Sequence, residues 1–411
     1  MVVCATSLTA CGGGGSTDGG SDVPPIDGPR GDGATDPDGA TTPDAFVPLG
    51  YHSLATGTHL SCDLAPDGAA ACWGAYGNEL GETTHASPVA AGGGMKFTQL
   101  SAYGRNVCGV TAANQAYCWG PNGNGQLGTG GITDGSQTPA LVGTGREFSK
   151  VYAGDATACA ITPEQVGYCW GDNPYGQVGA SVTGSSIHSP VIISGLLHWL
   201  VISPSANFTC GVATDRAAYC WGSDLNGQLG NGGAIGTTHA NDQNEPAAVA
   251  GGMQWQTVTT GRTFACGLTM AGAAYCWGEN GYRLGSATTA ASSAPVAVTG
   301  GHVFTSIDAG RDFACALTAT GDAYCWGADA VGQLATGTTN AAGSPVLVPT
   351  HVALGHAFAE ISASDGQHAC GATLDHDHVF CWGGNDVGQL GTGAVAPSMT
   401  TRSPTPIEVT H

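Results

Sequence analysis

The sequence has no run of about 18 apolar residues, the length that a membrane-spanning helix needs. Positive charge is also scarce, because 10 Lys and Arg face 31 Asp and Glu among 411 residues, for a formal net charge of -21. Nucleic-acid binding draws most of its affinity from cations that meet phosphates. The composition therefore predicts no transmembrane helix, and it argues against DNA or RNA as a direct partner.

Motifs of catalysis are missing as well. The sequence contains no nucleophile elbow, no phosphate-binding loop and no metalloprotease motif. Its 13 histidines are scattered, and no pair recurs with an acidic partner. We therefore expect a protein that is not an enzyme and has no cofactor and no metal centre. One local cluster, Asp375-His376-Asp377-His378, could hold a divalent cation, although an exposed polar turn is the interpretation we favour.

Glycine, in contrast, is abundant. The chain has 68 of them, and each glycine inside a helix costs about 1 kcal/mol relative to alanine. Such a composition favours an all-β fold with many turns.

The strongest signal is the tripeptide Cys-Trp-Gly, which recurs seven times at intervals of 46 to 56 residues. A second cysteine lies upstream of each copy, with nine residues between the two in six repeats and ten in the last. Turn residues at the centre of each gap predict a β-hairpin that brings the two cysteines opposite each other. Zinc is the alternative, but its ligand pairs are usually two to four residues apart. We predict seven local disulfides: Cys62–Cys72, Cys108–Cys118, Cys159–Cys169, Cys210–Cys220, Cys266–Cys276, Cys315–Cys325 and Cys370–Cys381.

The rest of each repeat predicts two further strands. A polar turn and a Gly-Gln-Leu-Gly-like element follow Trp-Gly, as in 125–128 and 388–391, and then a loop of variable length leads to a strand that begins with proline. Four short strands in about 50 residues are typical of a β-propeller blade. We expect the C-terminal strand around Pro404–Val409 to complete the first blade and so close the ring.

The blade pattern Val-x-x-Gly … Tyr-x-Trp-Gly-x-Asn-x-x-Gly-Gln-Leu-Gly resembles the regulator of chromosome condensation repeat. Asn122 and Asn173 lie at that family's asparagine position, and the resemblance covers about residues 50–410. It implies a seven-bladed β-propeller. The cysteines in the two inner strands depart from the family pattern and are similar to those of some bacterial secreted members, which argues against an intracellular role.

The N-terminal residues predict an anchor and a spacer. Leu8-Thr9-Ala10-Cys11 resembles a bacterial lipobox, so Cys11 is expected to carry lipid after cleavage. Only ten residues precede Cys11 and none is basic, so we expect the true start to lie upstream. The alternative is a disordered glycine-rich start with two stray cysteines, Cys4 and Cys11. Residues 1–11 would thus be a truncated signal, 12–45 a disordered linker and 46–411 the propeller.

These features together predict a binding scaffold. Regular cysteine pairs indicate an oxidising compartment, so we expect a monomeric lipoprotein of the bacterial envelope, or a secreted protein, that touches membrane only through its lipid. Its partner would be a protein, peptide or glycan. Arg105, Arg262 and Arg311 each follow a glycine in the same phase of the repeat, and they are possible binding residues on one face. The loops 180–189, 231–245 and 392–403 vary most, as recognition loops do. Two alternatives implied by the resemblance are nucleotide exchange on a small GTPase and inhibition of an enzyme.

Overall fold

The computed structural model describes residues 54–78, 81–236, 238–338, 345–353, 355–363, 365–393 and 402–410. The predictions for Cys4, Cys11 and the linker 12–45 lie outside these residues. The described chain forms seven four-stranded antiparallel sheets, each made of four consecutive strands. This is the seven-bladed β-propeller that the repeat predicted.

The strands of the first four blades follow one another without crossover. Blade 1 contains β1 (Leu54–Thr56), β2 (Leu60–Leu64), β3 (Ala69–Asn78) and β4 (Gly81–Lys96). Blade 2 contains β5 (Gln99–Tyr103), β6 (Asn106–Val110), β7 (Ala116–Gly120) and β8 (Ser136–Leu141). Blade 3 contains β9 (Lys150–Ala153), β10 (Thr157–Ile161), β11 (Gly167–Gly171) and β12 (Ile187–Ile192). Blade 4 contains β13 (Trp199–Pro204), β14 (Phe208–Ala213), β15 (Ala218–Gly222) and β16 (Gln243–Ala248).

The last three blades repeat the same order. Blade 5 contains β17 (Trp255–Thr260), β18 (Phe264–Thr269), β19 (Ala274–Gly278) and β20 (Ser292–Ala297). Blade 6 contains β21 (Phe304–Ala309), β22 (Phe313–Thr318), β23 (Ala323–Gly327) and β24 (Val346–His351). Blade 7 contains β25 (Phe358–Ala363), β26 (His368–Thr373), β27 (Val379–Gly384) and β28 (Arg402–Glu408). The only helix among the described residues is a 3-10 turn at His239–Asn241, and no described helix has the length and apolarity to cross a membrane.

The first strand of every blade lines the central axis. Each first strand contacts the first strand of the next blade, and β25 contacts β1. The fourth strands form the periphery, where residues alternate between half-buried and exposed. These outer strands carry the repeated prolines, for example Pro139 and Pro190. Proline is tolerated there because an edge strand has N–H groups that no neighbour needs.

The prediction for ring closure is wrong. The C-terminal strand β28 pairs with β27, so it completes blade 7 rather than blade 1. The reason is that each proline-led strand pairs with the Cys-Trp-Gly strand before it. Blade 1 already has its own such strand, β4, in which Val89 lies opposite Cys72. Every blade is therefore one continuous segment of chain.

The ring closes through side chains instead. The hydrophobic residues pack into seven clusters that each join two successive blades, and the cluster around Leu54, Trp73 and Leu390 joins blade 7 to blade 1. The indole N–H of Trp73 donates to the backbone carbonyl of Gln389 at 3.0 Å. The same bond recurs between other neighbouring blades, in the pairs Trp170 to Gln126, Trp221 to Gln177, Trp277 to Gln228, Trp326 to Arg283 and Trp382 to Gln333.

The seven predicted disulfides are confirmed. Each joins the second and third strands of one blade, with the two cysteines directly opposite in register and Cα atoms 4.0–4.1 Å apart. All fourteen cysteines are buried, and none is left to bind zinc. Closing a loop of this length contributes about 2.5–3 kcal/mol in the chain-entropy model.

Candidate binding face

The strand order sorts the connecting loops onto two faces of the ring. Strands alternate in direction, so the first-to-second and third-to-fourth connections of every blade emerge on one face, which we call the upper face. The hairpins between the disulfide-linked strands and the connections between blades emerge on the lower face. The three variable loops are third-to-fourth connections, and they therefore belong to the upper face. Residues 394–401 of the last loop lie outside the described residues.

A buried polar residue fixes the base of the third-to-fourth loop in blades 2 to 7. In blade 3, Asn173 Oδ1 accepts the N–H of Val178 at 3.0 Å, while its Nδ2 donates to the carbonyl of Val182 at 2.9 Å. The first of these bonds recurs in other blades. There the side-chain oxygen that accepts the backbone N–H belongs to Asn122, Asp224, Asn280, Asp329 and Asn385. The asparagine position that the repeat pattern singled out thus holds the turn in shape.

The glycines of the turn allow neighbouring blades to approach closely. A Cβ atom on Gly125 would lie 2.5 Å from the imidazole of His188 in the next blade, and the φ angle of Gly125 is +74°. A Cβ atom on Gly176 would likewise lie 2.6 Å from Asn244 of blade 4. Three further turns make the same approach, at Gly227, Gly332 and Gly388, so in five blades the loop base rests on the outer strand of the next blade and the upper face forms a rigid platform.

Apolar side chains stand exposed on this platform in three successive blades. Ile132, Val182 and Ile235 are 57%, 51% and 44% exposed, and all three lie in third-to-fourth loops. The ring of Tyr175 stacks on His239 of the next blade, with 4.6 Å between ring centroids. Loops that a rigid scaffold positions commonly carry binding residues, so these three side chains are candidate contact residues.

The three arginines predicted from the repeat also lie on the upper face, in first-to-second connections. Arg262 and Arg311 occupy equivalent places in blades 5 and 6, and the N–H of Arg262 donates to the carbonyl of Arg311 at 3.4 Å. Arg105 lies in a two-residue turn, because Tyr103 pairs with Asn106, so its loop is one residue shorter than the other two. Their placement does not test whether these arginines bind a partner, so their binding role stays a prediction.

Two aspartates that the sequence analysis missed share these connections. Asp155 occupies blade 3 and Asp365 blade 7. The charges of Arg262 and Arg311 act on both carboxyl groups, and the charge of Asp155 also acts on Asp365. Burial raises the pKa of Asp155, and it raises the pKa of Asp365 to about 6. Their position a few residues before the first cysteine of the blade is the same signal that pointed to the arginines.

The channel beneath these loops is narrow and has a buried tyrosine at its upper end. It encloses about 120 Å³ between the seven first strands. Tyr103, at the upper end of β5, is buried, and its hydroxyl lies 3.3 Å from Ser205 Oγ in blade 4. Burial raises the pKa of Tyr103. Ser205 in turn donates to the carbonyl of Gly261 at 2.7 Å, so blades 2, 4 and 5 are joined at the channel mouth.

The wall of the channel has its own hydrogen-bond system. A first strand is a sheet edge, and its outward N–H groups need acceptors from outside its own blade. At five junctions a side chain opposite the first cysteine of the blade accepts an N–H of the next blade, at 2.8–3.2 Å. These pairs are Ser101 with Ala153, Ser203 with Thr260, Thr259 with Ala309, Asp308 with Ala363 and Ser362 with Thr56. Between blades 3 and 4 the equivalent donor is Pro204, which has no N–H, and the accepting position holds Tyr152 instead.

The cluster 375–378 occupies the hairpin tip of blade 7 on the lower face. Asp375 accepts the N–H of Asp377 at 3.2 Å, and His378 Nδ1 lies 2.6 Å from Glu408 on the neighbouring strand. The Glu408 carboxylate raises the pKa of His378. Across the described part of the chain, no three His, Cys, Asp or Glu side chains come together in a way that could hold a metal ion.

Comparison with known proteins identifies the repeat. Two family models described as regulator of chromosome condensation (RCC1) repeat match residues 114–161 and 304–333. The chain is 29% identical over 201 residues to the E3 ubiquitin-protein ligase HERC2 of Mus musculus, a match that covers 46% of this chain and 4% of HERC2. It is 29% identical over 202 residues to the ultraviolet-B receptor UVR8 of Arabidopsis thaliana, covering 46% of this chain and 45% of UVR8. The matches thus span less than half of these relatives.

Solved structures agree on the architecture. The structure of Prp20p from Saccharomyces cerevisiae, described with its binding properties to Gsp1p and histones, superimposes with a TM-score of 0.71 and 17% sequence identity. The alignment covers 85% of this chain and 87% of Prp20p. A likeness at this identity shows the fold.

Proposed function

We propose that this chain, which belongs to the regulator of chromosome condensation repeat family, is a non-catalytic binding propeller that works outside the cytoplasm and engages a protein partner through its upper face. The observation that carries the proposal is the concentration of every variable loop on that one rigid face, with Ile132, Val182 and Ile235 exposed in adjacent blades. Recognition residues are commonly placed on loops that a rigid scaffold positions. The structure of Prp20p, a propeller of the same fold, is described together with binding to protein partners, Gsp1p and histones.

The disulfides support the proposed compartment. Seven bridges in one domain form and persist in oxidising surroundings, whereas the cytosol keeps thiols reduced. Together with the lipobox-like segment before Cys11, they favour a lipid-anchored protein of the cell envelope.

Two measurements test the compartment. Radiolabelled palmitate is expected in the wild-type chain and absent from the Cys11→Ser variant, which remains folded because Cys11 precedes the propeller. Alkylation of intact cells before lysis is expected to find the fourteen propeller cysteines oxidised. Fourteen free thiols, or recovery of the protein in the cytosolic fraction, would contradict the proposal.

Binding through the upper face is tested with two matched triple variants. One replaces Ile132, Val182 and Ile235 with serine, and the other replaces the exposed lower-face residues Leu196, Met270 and Val303 with serine. In pull-downs from the envelope extract of the source organism, a partner retained by the wild type is expected to be lost from the upper-face variant and kept by the lower-face variant. Equal retention by both variants would exclude the upper face as the binding surface.

Nucleotide exchange is the second candidate, because the matching fold of Prp20p is described with Gsp1p binding. Fold alone does not carry function across this identity. Accelerated release of a fluorescent guanine nucleotide from a small GTPase of the same organism would favour exchange over the envelope role.

Enzyme inhibition, the third candidate, predicts that the chain lowers the rate of a secreted hydrolase such as a β-lactamase at stoichiometric concentration.

A further inference from the structure

The junctions between blades 4, 5, 6 and 7 share one pair of apolar side chains. One member lies two positions before the first cysteine of a blade, and the other lies immediately before the first cysteine of the next blade. At each of these junctions a buried phenylalanine belongs to the same hydrophobic cluster as a buried alanine of the following blade. These pairs are Phe208 with Ala265, Phe264 with Ala314 and Phe313 with Ala369.

The closing junction, between blades 7 and 1, has a polar pair at the same position. His368 replaces the phenylalanine and Ser61 the alanine, and neither side chain is exposed to solvent. Ser61 Oγ donates to the backbone carbonyl of Gln389 at 3.0 Å and lies 2.9 Å from His368 Nε2. Because a serine hydroxyl has only one hydrogen, Nε2 of His368 donates the hydrogen of the second bond. The neutral imidazole thus has its hydrogen on Nε2 and a lone pair on Nδ1.

Nδ1 of His368 is the atom that acid protonates. It is buried and has no well-aligned hydrogen-bond partner among the described residues. A second N–H there gives the imidazole a positive charge inside the junction, where burial disfavours the charged form. Burial, and to a smaller extent the charge of His59, lowers the pKa of His368 to about 3, and Asp386 and the backbone of Leu60 offset only part of this effect.

Other titratable groups lie on the elements that pack around His368. His59 and Asp386 come from opposite sides of the junction, and their side chains approach to 3.9 Å. Asp365 lies three residues before His368, and burial is the main reason that its pKa is raised to about 6. Protonation of Asp365 therefore opposes the effect of His368 as pH falls, so the contribution of His368 is measured by comparing variants. The titratable residues on these elements are His59, Asp63, Glu360, Asp365 and Asp386.

We propose that the closing junction is an acid-sensitive joint, at which protonation of His368 opens the ring between blades 7 and 1 while the other junctions stay closed. No strand passes from the last blade to the first, because β28 completes blade 7. Contacts across the junction, such as Trp73 with Gln389, hold it closed instead. A buried imidazolium without an acceptor weakens the ring at this one place. The joint needs no protein partner, so it goes beyond the proposed function.

The first test exchanges the two kinds of junction. His368→Phe/Ser61→Ala gives the closing junction the apolar pair, and Phe313→His/Ala369→Ser places the polar pair between blades 6 and 7. The pKa of His368 is lower in the folded chain than its ordinary value of 6.5, so its contribution to stability is lost as pH falls below 6.5. From pH 7 to pH 4, the unfolding equilibrium constant in urea is expected to rise about 100-fold more in the wild type than in His368→Phe/Ser61→Ala.

The reciprocal variant is expected to be more acid-sensitive than the wild type by a similar factor. The same pH response in the wild type and in His368→Phe/Ser61→Ala would overturn the proposal. A reciprocal variant no more acid-sensitive than the wild type would contradict the assignment to this pair of side chains.

The second test locates the opening in the wild-type chain. The N–H of Thr56 donates to Ser362 Oγ across the closing junction, and the N–H of Thr260 donates to Ser203 Oγ between blades 4 and 5, both at 3.1 Å. Hydrogen exchange at pH 7 and pH 5 is expected to show that the protection factor of Thr56 falls about tenfold more than that of Thr260. An equal fall at the two amides, or no fall at Thr56, would overturn the proposal.

Discussion

Replacement of Asp224 by asparagine is expected to stabilise the propeller. Asp224 is 1% exposed, and its Oδ1 accepts the N–H of Leu229 at 3.0 Å, as the equivalent asparagines do in other blades. Its Oδ2 is buried and accepts no well-aligned hydrogen bond among the described residues, although the nearby side chain of Asn231 offsets part of the effect of burial on its pKa. Nδ2 of Asn173, in contrast, donates to a loop carbonyl from the same place. Burial raises the pKa of Asp224, and the charge of Asp242 raises it further.

The raised pKa of Asp224 sets the sign of the change in stability. A carboxyl group whose pKa is higher in the folded state destabilises the fold once pH rises above the unfolded value of about 3.9. Asparagine keeps the acceptor, removes the buried charge and supplies a donor, for a gain of about 1–2 kcal/mol at pH 7. An unfolding entropy of about 2.1 cal/mol/K per residue over roughly 360 residues converts this gain to a rise in Tm of about 2 °C.

The assay is urea unfolding and scanning calorimetry of wild type and Asp224→Asn at pH 7 and pH 4. The gain is expected at pH 7 and is expected to shrink at pH 4, where the carboxyl group is closer to neutral. Asp329→Asn is the matched control, because Thr336 Oγ1 already lies 3.4 Å from Asp329 Oδ2 and the gain there is expected to be smaller. A loss of stability at pH 7, or an equal gain at both pH values, would refute the reasoning.

Two further perturbations probe the blade itself. The double variant Cys315→Ser/Cys325→Ser is expected to lose about 2.5–3 kcal/mol of unfolding free energy through its longer unfolded loop, measured by urea titration; an unchanged midpoint would contradict a structural role for that bridge. Gly125→Ala is expected to destabilise the propeller by more than Gly145→Ala, because both positions have positive φ, of +74° and +76°, but only Gly125 has His188 within 3.0 Å of an added Cβ. Equal loss in the two variants would show that backbone strain alone, rather than blade-to-blade contact, requires glycine at position 125.

Local pattern was a reliable guide wherever the partner residues are near in sequence. The nine-residue gap between Cys159 and Cys169 predicts a hairpin and its disulfide because both depend on one turn. The asparagine at 173 and the glycines around 176 likewise act within one loop and its neighbour. Seven copies of the same signal made the blade count unambiguous.

Features that depend on neighbouring blades were harder to predict. Ring closure was misassigned because the sequence of a proline-led strand does not show whether it begins or ends a blade. Its pairing partner depends on where the repeat starts, and β28 pairs with β27. The bond from Ser362 to Thr56 joins residues 306 positions apart. The charges of Arg262 and Arg311 act on Asp155 and Asp365 from other blades, and no local sequence pattern indicates that influence.

Site-specific photo-cross-linking in living cells of the source organism tests the central claim most directly, namely that the propeller binds a partner through its upper face. A photoreactive amino acid is placed at Val182 or Ile235 on the upper face, or at Met270 or Val303 on the lower face, where exposure is 51%, 44%, 47% and 63%. The proposed function predicts one discrete adduct of the same mass from both upper positions and none from the lower positions. Adducts confined to Met270 and Val303, or of equal yield from both faces, would contradict it.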